Sequence, residues 1–121
     1  MNIAEICKAL ELDVTHPGDC SREIGGVIVG DLLSHILGEP GEARENRLWV
    51  TVQVHMNVAA VAVLKELSLI ILSSNRKPHE DMAEKCREEN IALTTTRLSS
   101  YEICCRLCGL GIGHERQQRG Q

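Results

Sequence analysis

The sequence predicts an α/β domain: a mostly parallel central sheet assembled from βα units, with helices packed on it in two or three layers. Two apolar runs of strand length, residues 67–72 and 91–95, and an alternating stretch at 48–54 supply the strands. Helical segments with recognisable starts and stops separate them. The connections are only a few residues long, and strand–helix–strand order with such connections demands parallel pairing through right-handed crossovers.

Each element has a local reason. Asn2 is placed to cap a first helix, with Glu5 completing a capping box, and Ile3, Ile6, Cys7 and Leu10 fall on one face. Residues 12–15 make a short strand, and His16, Pro17, Gly18 and Asp19 are turn chemistry. Residues 27–29 form another strand. A helix then starts near Asp31, with Leu32, Leu33, Ile36 and Leu37 sharing its inner face. Residues 38–47 are the one long loop.

After the strand at 48–54, Asn57 is positioned to cap a helix that runs to about Glu66. Residues 58–64 are apolar nearly all round, so that helix needs cover on two sides, the sheet and a second surface such as another subunit. Pro78 opens a charged helix at its first position, Glu80 and Asp81 complement the helix dipole, and Asn90 provides a left-handed stop. Ser99 with Glu102 forms a second capping box and Leu98 with Ile103 a hydrophobic staple, for a last helix ending at Gly109 or Gly111. Residues 1–112 therefore read as one domain, and residues 113–121 as a flexible tail.

Composition removes several functions. One Trp, one Tyr and no Phe leave no aromatic platform on which single-stranded nucleic acid could stack, and a formal net charge of -4 offers no cationic face to a phosphate backbone. No apolar run reaches membrane-spanning length, and the N-terminus lacks the zones of a signal peptide. These features predict a cytoplasmic protein that binds neither nucleic acid nor membrane, with its six cysteines mostly reduced.

The glycine-rich stretch around Gly25, Gly26 and Gly30 matches neither phosphate-binding template. There is no Gly-Lys-Ser/Thr and no G-x-G-x-x-G, so it reads as a tight turn before a core helix. Cys104, Cys105 and Cys108 contain a C-x-x-C. They lie well inside the last helix, away from the dipole that lowers thiol pKa at a helix start, and a single such pair falls short of four zinc ligands. Cys104 and Cys108 are expected on the Ile103/Leu107 side as small buried hydrophobes, the alternative being a thiol or metal sensor.

Three segments carry a family resemblance: Gly30-Asp31-Leu32-Leu33-Ser34, the run from Trp49 to Ala62 (WVTVQVHMNVAAVA), and Leu98-Ser99-Ser100-Tyr101-Glu102. Over most of the chain the sequence resembles the DRTGG domain, whose stand-alone copies are similar to the N-terminal regulatory domain of HPr kinase. Of the name-giving motif, Arg22 and Gly25-Gly26 remain in the neighbourhood, while the Asp and Thr do not fall in order. The resemblance implies an α/β domain of unassigned activity, found alone or fused to kinases, pyrophosphatases and acyltransferases and inclined to dimerise; the sequence itself lacks a kinase's phosphate loop.

In a parallel sheet, ligands bind beyond the carboxyl ends of the strands, where helix N-termini point outward. The residues expected there are His55 and Asn57, then Ser73, Ser74, Asn75 and Arg76, then Thr94, Thr95 and Thr96 with Ser99, a set suited to a small anion or a nucleotide phosphate with Arg76 or Lys77 as counter-charge. The same residue types also serve as ordinary helix caps. No base-and-partner pair or cofactor motif accompanies His55, so no catalytic residue, metal or cofactor is assigned. The expected function is a non-enzymatic regulatory module, a homodimer binding a protein partner or a small phosphorylated ligand. A phosphoryl-handling enzyme using His55 and the nearby Ser and Thr residues is the alternative.

Overall fold

A computed structural model describes residues 1–40 and 46–112. The tail assigned to 113–121 and the middle of the long loop lie outside the described residues. The elements run α1 (Ile3–Ala9), β1 (Asp13–His16), β2 (Gly26–Val29), α2 (Leu33–Leu37), β3 (Arg47–Thr51), α3 (Met56–Leu64), β4 (Leu69–Leu72), α4 (Glu80–Glu88), β5 (Ala92–Thr95) and α5 (Ser100–Gly109). The five strands form one sheet in the order β1-β5-β4-β3-β2. β2 to β5 are parallel and β1 joins β5 antiparallel.

Strand order moves steadily from β2 to β5, so crossovers of one hand must all lie on one face. Accordingly Ile36 of α2, Val58 and Ala62 of α3, and Met82 and Cys86 of α4 share a core with Ile28, Trp49, Ile70 and Leu93. Ile3 and Ile6 of α1 and Ile103 and Leu107 of α5 meet Leu48, Val50, Leu69 and Ile71 on the opposite face. The result is a three-layer α/β/α sandwich. Covered on both faces, β3 and β4 bury every residue, and β4 (LIIL) reads as a continuous apolar run for that reason.

Helix ends repeat one device. Glu11, Glu66, Asn90 and Gly111 adopt left-handed backbone (φ 53°, 54°, 56° and 84°). The residue after each, Leu12, Leu67, Ile91 and Ile112, is buried and donates its N–H to the carbonyl five residues earlier. This is the Schellman closure with its apolar contact. The Asn2–Glu5 capping box forms with both bonds, at 2.8 Å each. Ser99 caps α5 by accepting from the Glu102 N–H at 3.2 Å.

Several boundaries differ from the sequence expectation, each for a tertiary reason. β3 stops at Thr51 rather than reaching Val54, because the Asp31 carboxylate accepts from Thr51 Oγ1 (2.8 Å) and from the Val52 N–H (2.9 Å), removing a ladder donor. With Asp31 so engaged, α2 starts only at Leu33. It buries Ile36 fully, while Leu32 and Leu37 are exposed instead of joining an inner face. His55, not Asn57, occupies the N-cap position of α3, and Asn57 lies exposed in the first turn. Pro78 precedes the α4 cap His79, whose N–H is held by Val54 O at 2.8 Å. The second cover of α3 comes largely from within the chain, since α2 and α4 flank it.

The glycine-rich stretch is a packed turn. Ile3 N–H donates to Arg22 O and Ile24 N–H to Met1 O, both at 3.0 Å, so the backbone ahead of β2 is paired with the N-terminus instead of presenting amides to a phosphate. Among the described residues no helix is long and apolar enough to cross a membrane.

Candidate functional site

The parallel register aligns Thr51, Leu72 and Thr95 across β3, β4 and β5, so the loops leaving these strands emerge along one rim of the sheet. At the β2–β3 corner of that rim the polar groups satisfy one another. Asp31 Oδ1 holds Thr51 and Val52, Gln53 Nε2 donates to Asp31 O at 3.2 Å, and Gln53 N–H donates to Thr51 Oγ1 at 3.2 Å.

The β4 and β5 loops are stitched together. Ser74 N–H donates to Leu98 O at 2.7 Å and Asn75 N–H to Thr96 O at 2.8 Å, with Ser74 and Asn75 in left-handed backbone (φ 60° and 58°). Ser73 is fully buried and its hydroxyl pairs with that of Ser100 at 2.8 Å, fixing the start of α5 to the end of β4. Ser73, Ser74, Thr95 and Ser99 are thereby brought into one neighbourhood. Thr94 belongs to the core, where it donates to Ile70 O at 3.1 Å. Arg76 is exposed on the loop towards α4. His55 and Asn57 sit further along the rim at the start of α3. His55 Nδ1 is buried without a hydrogen-bond partner among the described residues.

Connections from β2, β3 and β4 return on one face, whereas the chain leaving β5 crosses to the other and lays α5 near β3. The boundary between β4 and β5 is therefore the topological switch point, where open α/β sheets leave room for a ligand. A cavity of about 360 Å³ lies beside it, on the β1 side of the loop leaving β5, and Asn75, Thr96, Arg97 and Arg106 line it together with Glu11 and Asp13. Antiparallel pairing of β1 brings Asp13 opposite Thr95 and so carries the acidic pair to this rim. Arg106 also faces Glu102, one turn back on α5, at 3.7 Å. Two guanidiniums beside an amide and a hydroxyl make a polar recess able to hold an anionic group, while the two carboxylates confine where that charge can sit. Sequence reasoning reached Asn75 and Thr96 but looked to Arg76 and Lys77 for charge. Arg97, next to the threonine run, carried a usable signal, whereas Arg106 is placed only by the path of α5.

The cysteines of α5 correct one expectation. Ile103 and Leu107 are buried, but Cys108 and Cys105 are exposed and Cys104 is half-buried, because a residue one position on from the buried pair is turned about 100° away from it. Burial pushes the Cys104 thiol up, and the neighbouring Cys108 and Cys105 push it further. Thiolate formation is thus disfavoured there. Among the described residues no group of three or more His, Cys, Asp or Glu side chains is arranged to hold a metal ion.

No family model matches the chain, and no curated protein matches it. Among solved structures, the crystal structure of the CBS and DRTGG domains of the regulatory region of Clostridium perfringens pyrophosphatase, complexed with the activator diadenosine tetraphosphate, is similar with a TM-score of 0.71 at 16% identity. The match covers 88% of this chain and 45% of that one, so the chain spans less than half the length of the protein it resembles. What the two share is the fold, which bears out the DRTGG-like resemblance carried by the sequence.

Proposed function

We propose that this chain is a non-enzymatic regulatory module of the cytoplasm that binds a small phosphorylated ligand at the β4–β5 rim. The observation that carries this reading is the cavity beside the switch point with Arg97, Arg106, Asn75 and Thr96 in its walls. The structural neighbour adds weight, because the region it represents is regulatory and was captured with a nucleotide carrying four phosphates. Ser73, Ser74, Thr95 and Ser99 act in this reading by shaping and stiffening the two loops. His55, Asn57 and Arg76 offer a second polar group further along the rim for the remainder of an extended ligand.

A thermal-shift panel of diadenosine tetraphosphate, mononucleotides and inorganic phosphate tests the reading. A ligand at a hundred times its Kd stabilises by about 2.7 kcal/mol, on the order of 10 °C in Tm for a domain of this size. The Arg97→Ala/Arg106→Ala double variant should lose that shift, since each charge-assisted contact contributes about 1.5–3 kcal/mol. No shift with any compound, or an equal shift in the double variant, refutes the site.

The module acts as a homodimer in this proposal. Lys65 Nζ donates to Glu39 O at 2.7 Å and holds together the C-terminal ends of α2 and α3, where Leu37 and Leu64 are 44% and 71% exposed. Light scattering at micromolar concentration should give twice the monomer mass, and Leu64→Lys should reduce it to the monomer. A monomeric wild-type protein removes the dimer from the model and leaves the ligand site standing.

A further inference from the structure

The last helix carries a cluster of thiols that shares no wall residue with the rim cavity. Cys104 and Cys108 line a recess of about 270 Å³ between α5 and the edge strand β2, walled otherwise by Val27 and Val29 of β2 and by Leu107 and Ile112. Four residues apart on a helix, the two cysteines stand one above the other on the same face. Cys108 is exposed and Cys104 half-buried, so reagents reach both residues. Cys105 is exposed but lies outside the recess, turned about 100° from Cys104. Among the described residues no Asp, Glu, Lys, Arg or His lines the recess.

Spacing decides what this pair can do. A disulfide needs Cβ atoms about 3.5–4.5 Å apart. Helix positions four apart hold them roughly 5–6 Å apart, so direct S–S bonding would require α5 to unwind. One interposed atom with two bonds to sulfur of about 2.3 Å, as soft atoms make, spans the gap without moving the backbone. The surroundings then narrow the choice of that atom. Two thiols fall short of a zinc site's four ligands. Copper(I) held by two thiolates would leave a negative charge among these uncharged walls, desolvated without compensation.

Trivalent arsenic bearing one organic group meets both conditions. It bonds two sulfurs in a neutral product, and its pyramidal geometry directs the third substituent away from them, where apolar walls can take it. We infer that Cys104 and Cys108 are a chelating dithiol site for a mono-organic arsenic(III) compound, the two sulfurs holding arsenic and the organic group packing against Val27, Val29 and Leu107. With R–As(OH)₂ the step breaks two As–O and two S–H bonds, forms two As–S bonds and releases two waters. Arsenic stays trivalent, so neither oxidant nor reductant is needed. Such a step suits a Cys104 thiol that burial and the neighbouring Cys108 and Cys105 keep protonated, since the protons leave as water.

Phenylarsine oxide, which hydrates to the dihydroxy form, is the probe on the full, reduced chain, with iodoacetamide labelling of each cysteine read by peptide fragmentation mass spectrometry. An equimolar dose should protect Cys104 and Cys108 at least about tenfold and leave Cys105 open to labelling. The adduct should survive millimolar 2-mercaptoethanol and yield to the same concentration of 2,3-dimercaptopropanol, as a chelate does. Cys108→Ser, at an exposed position, and Cys104→Ser should each weaken binding about a hundredfold or more, because the second As–S bond loses its millimolar effective concentration; Cys105→Ser should change it less than about twofold. Val29→Lys, at a half-exposed edge position, should weaken phenylarsine oxide about tenfold, the return on burying roughly 60 Å² of ring, and leave inorganic arsenite, which has no ring, unaffected. Protection falling on Cys105 or on Cys7 and Cys20 instead, an adduct lost to the monothiol, undiminished binding in Cys108→Ser, or an equal effect of Val29→Lys on the two arsenicals overturns the assignment.

Discussion

Gly18→Ala should destabilise the protein by about 2–5 kcal/mol, combining a left-handed backbone penalty of about 1–2 kcal/mol with overpacking of about 1–3 kcal/mol. Gly18 sits at φ +56°, and a Cβ built on it would lie 2.6 Å from the backbone nitrogen of Ala92 and 2.9 Å from its Cα. Ala92 cannot retreat. Its N–H donates to Ser68 O at 3.2 Å, and its strand is locked to β4 opposite Leu69. The check is urea unfolding: the midpoint should fall while the slope stays unchanged, as for a native-state effect. Gly111→Ala is the control, being at φ +84° with nothing within 4 Å of the added carbon. It should cost about 1–2 kcal/mol, the dihedral penalty without the clash. Equal losses in the two variants would show that the turn at Gly18 swings clear of β5.

Trp49→Ala should cost about 3–5 kcal/mol, the range for removing a large buried aromatic side chain. Trp49 is fully buried in the middle of β3, in the core beneath α2, α3 and α4. Its indole N–H donates to Gly30 O at 2.9 Å, fastening the exit of β2 to β3. Trp49→Phe keeps most of the ring volume and loses that bond, for a smaller cost of about 1 kcal/mol from the hydrogen bond. Circular dichroism is the appropriate probe, since Trp49 is the only tryptophan in the chain and its fluorescence disappears with it. A native stability of about 5–15 kcal/mol leaves room for Trp49→Ala to fold at low temperature with a much reduced Tm. A loss below about 1 kcal/mol for Trp49→Ala would contradict the close packing of this layer.

Elements with local causes were legible. The Asn2 and Ser99 caps, the left-handed Asn90 and the apolar strands at β4 and β5 appear where residue chemistry within a few positions requires them. Misplaced boundaries trace to contacts from elsewhere in the chain. Asp31, read as a helix start, caps the end of β3 instead, and nothing near Thr51 in sequence announces this. Glu11 and Glu66 also escape a local reading. Glutamate is a poor choice for left-handed backbone, and what holds it there is burial of the leucine that follows.

The order of strands and helices, their parallel pairing and the rim onto which the strand loops open follow from patterns of burial and turn chemistry written within short stretches of the chain. Which side chains actually surround a cavity did not. Arg97 and Arg106 meet Asp13 because β1 adds antiparallel to β5 and α5 crosses to the other face. His16 meets Cys7 and Cys20 because the turn after β1 folds back onto α1, where the Ala4 N–H donates to Cys20 O. Local propensity acts over a few bonds, whereas these juxtapositions are made by packing segments distant in sequence, and only the assembled sandwich specifies them.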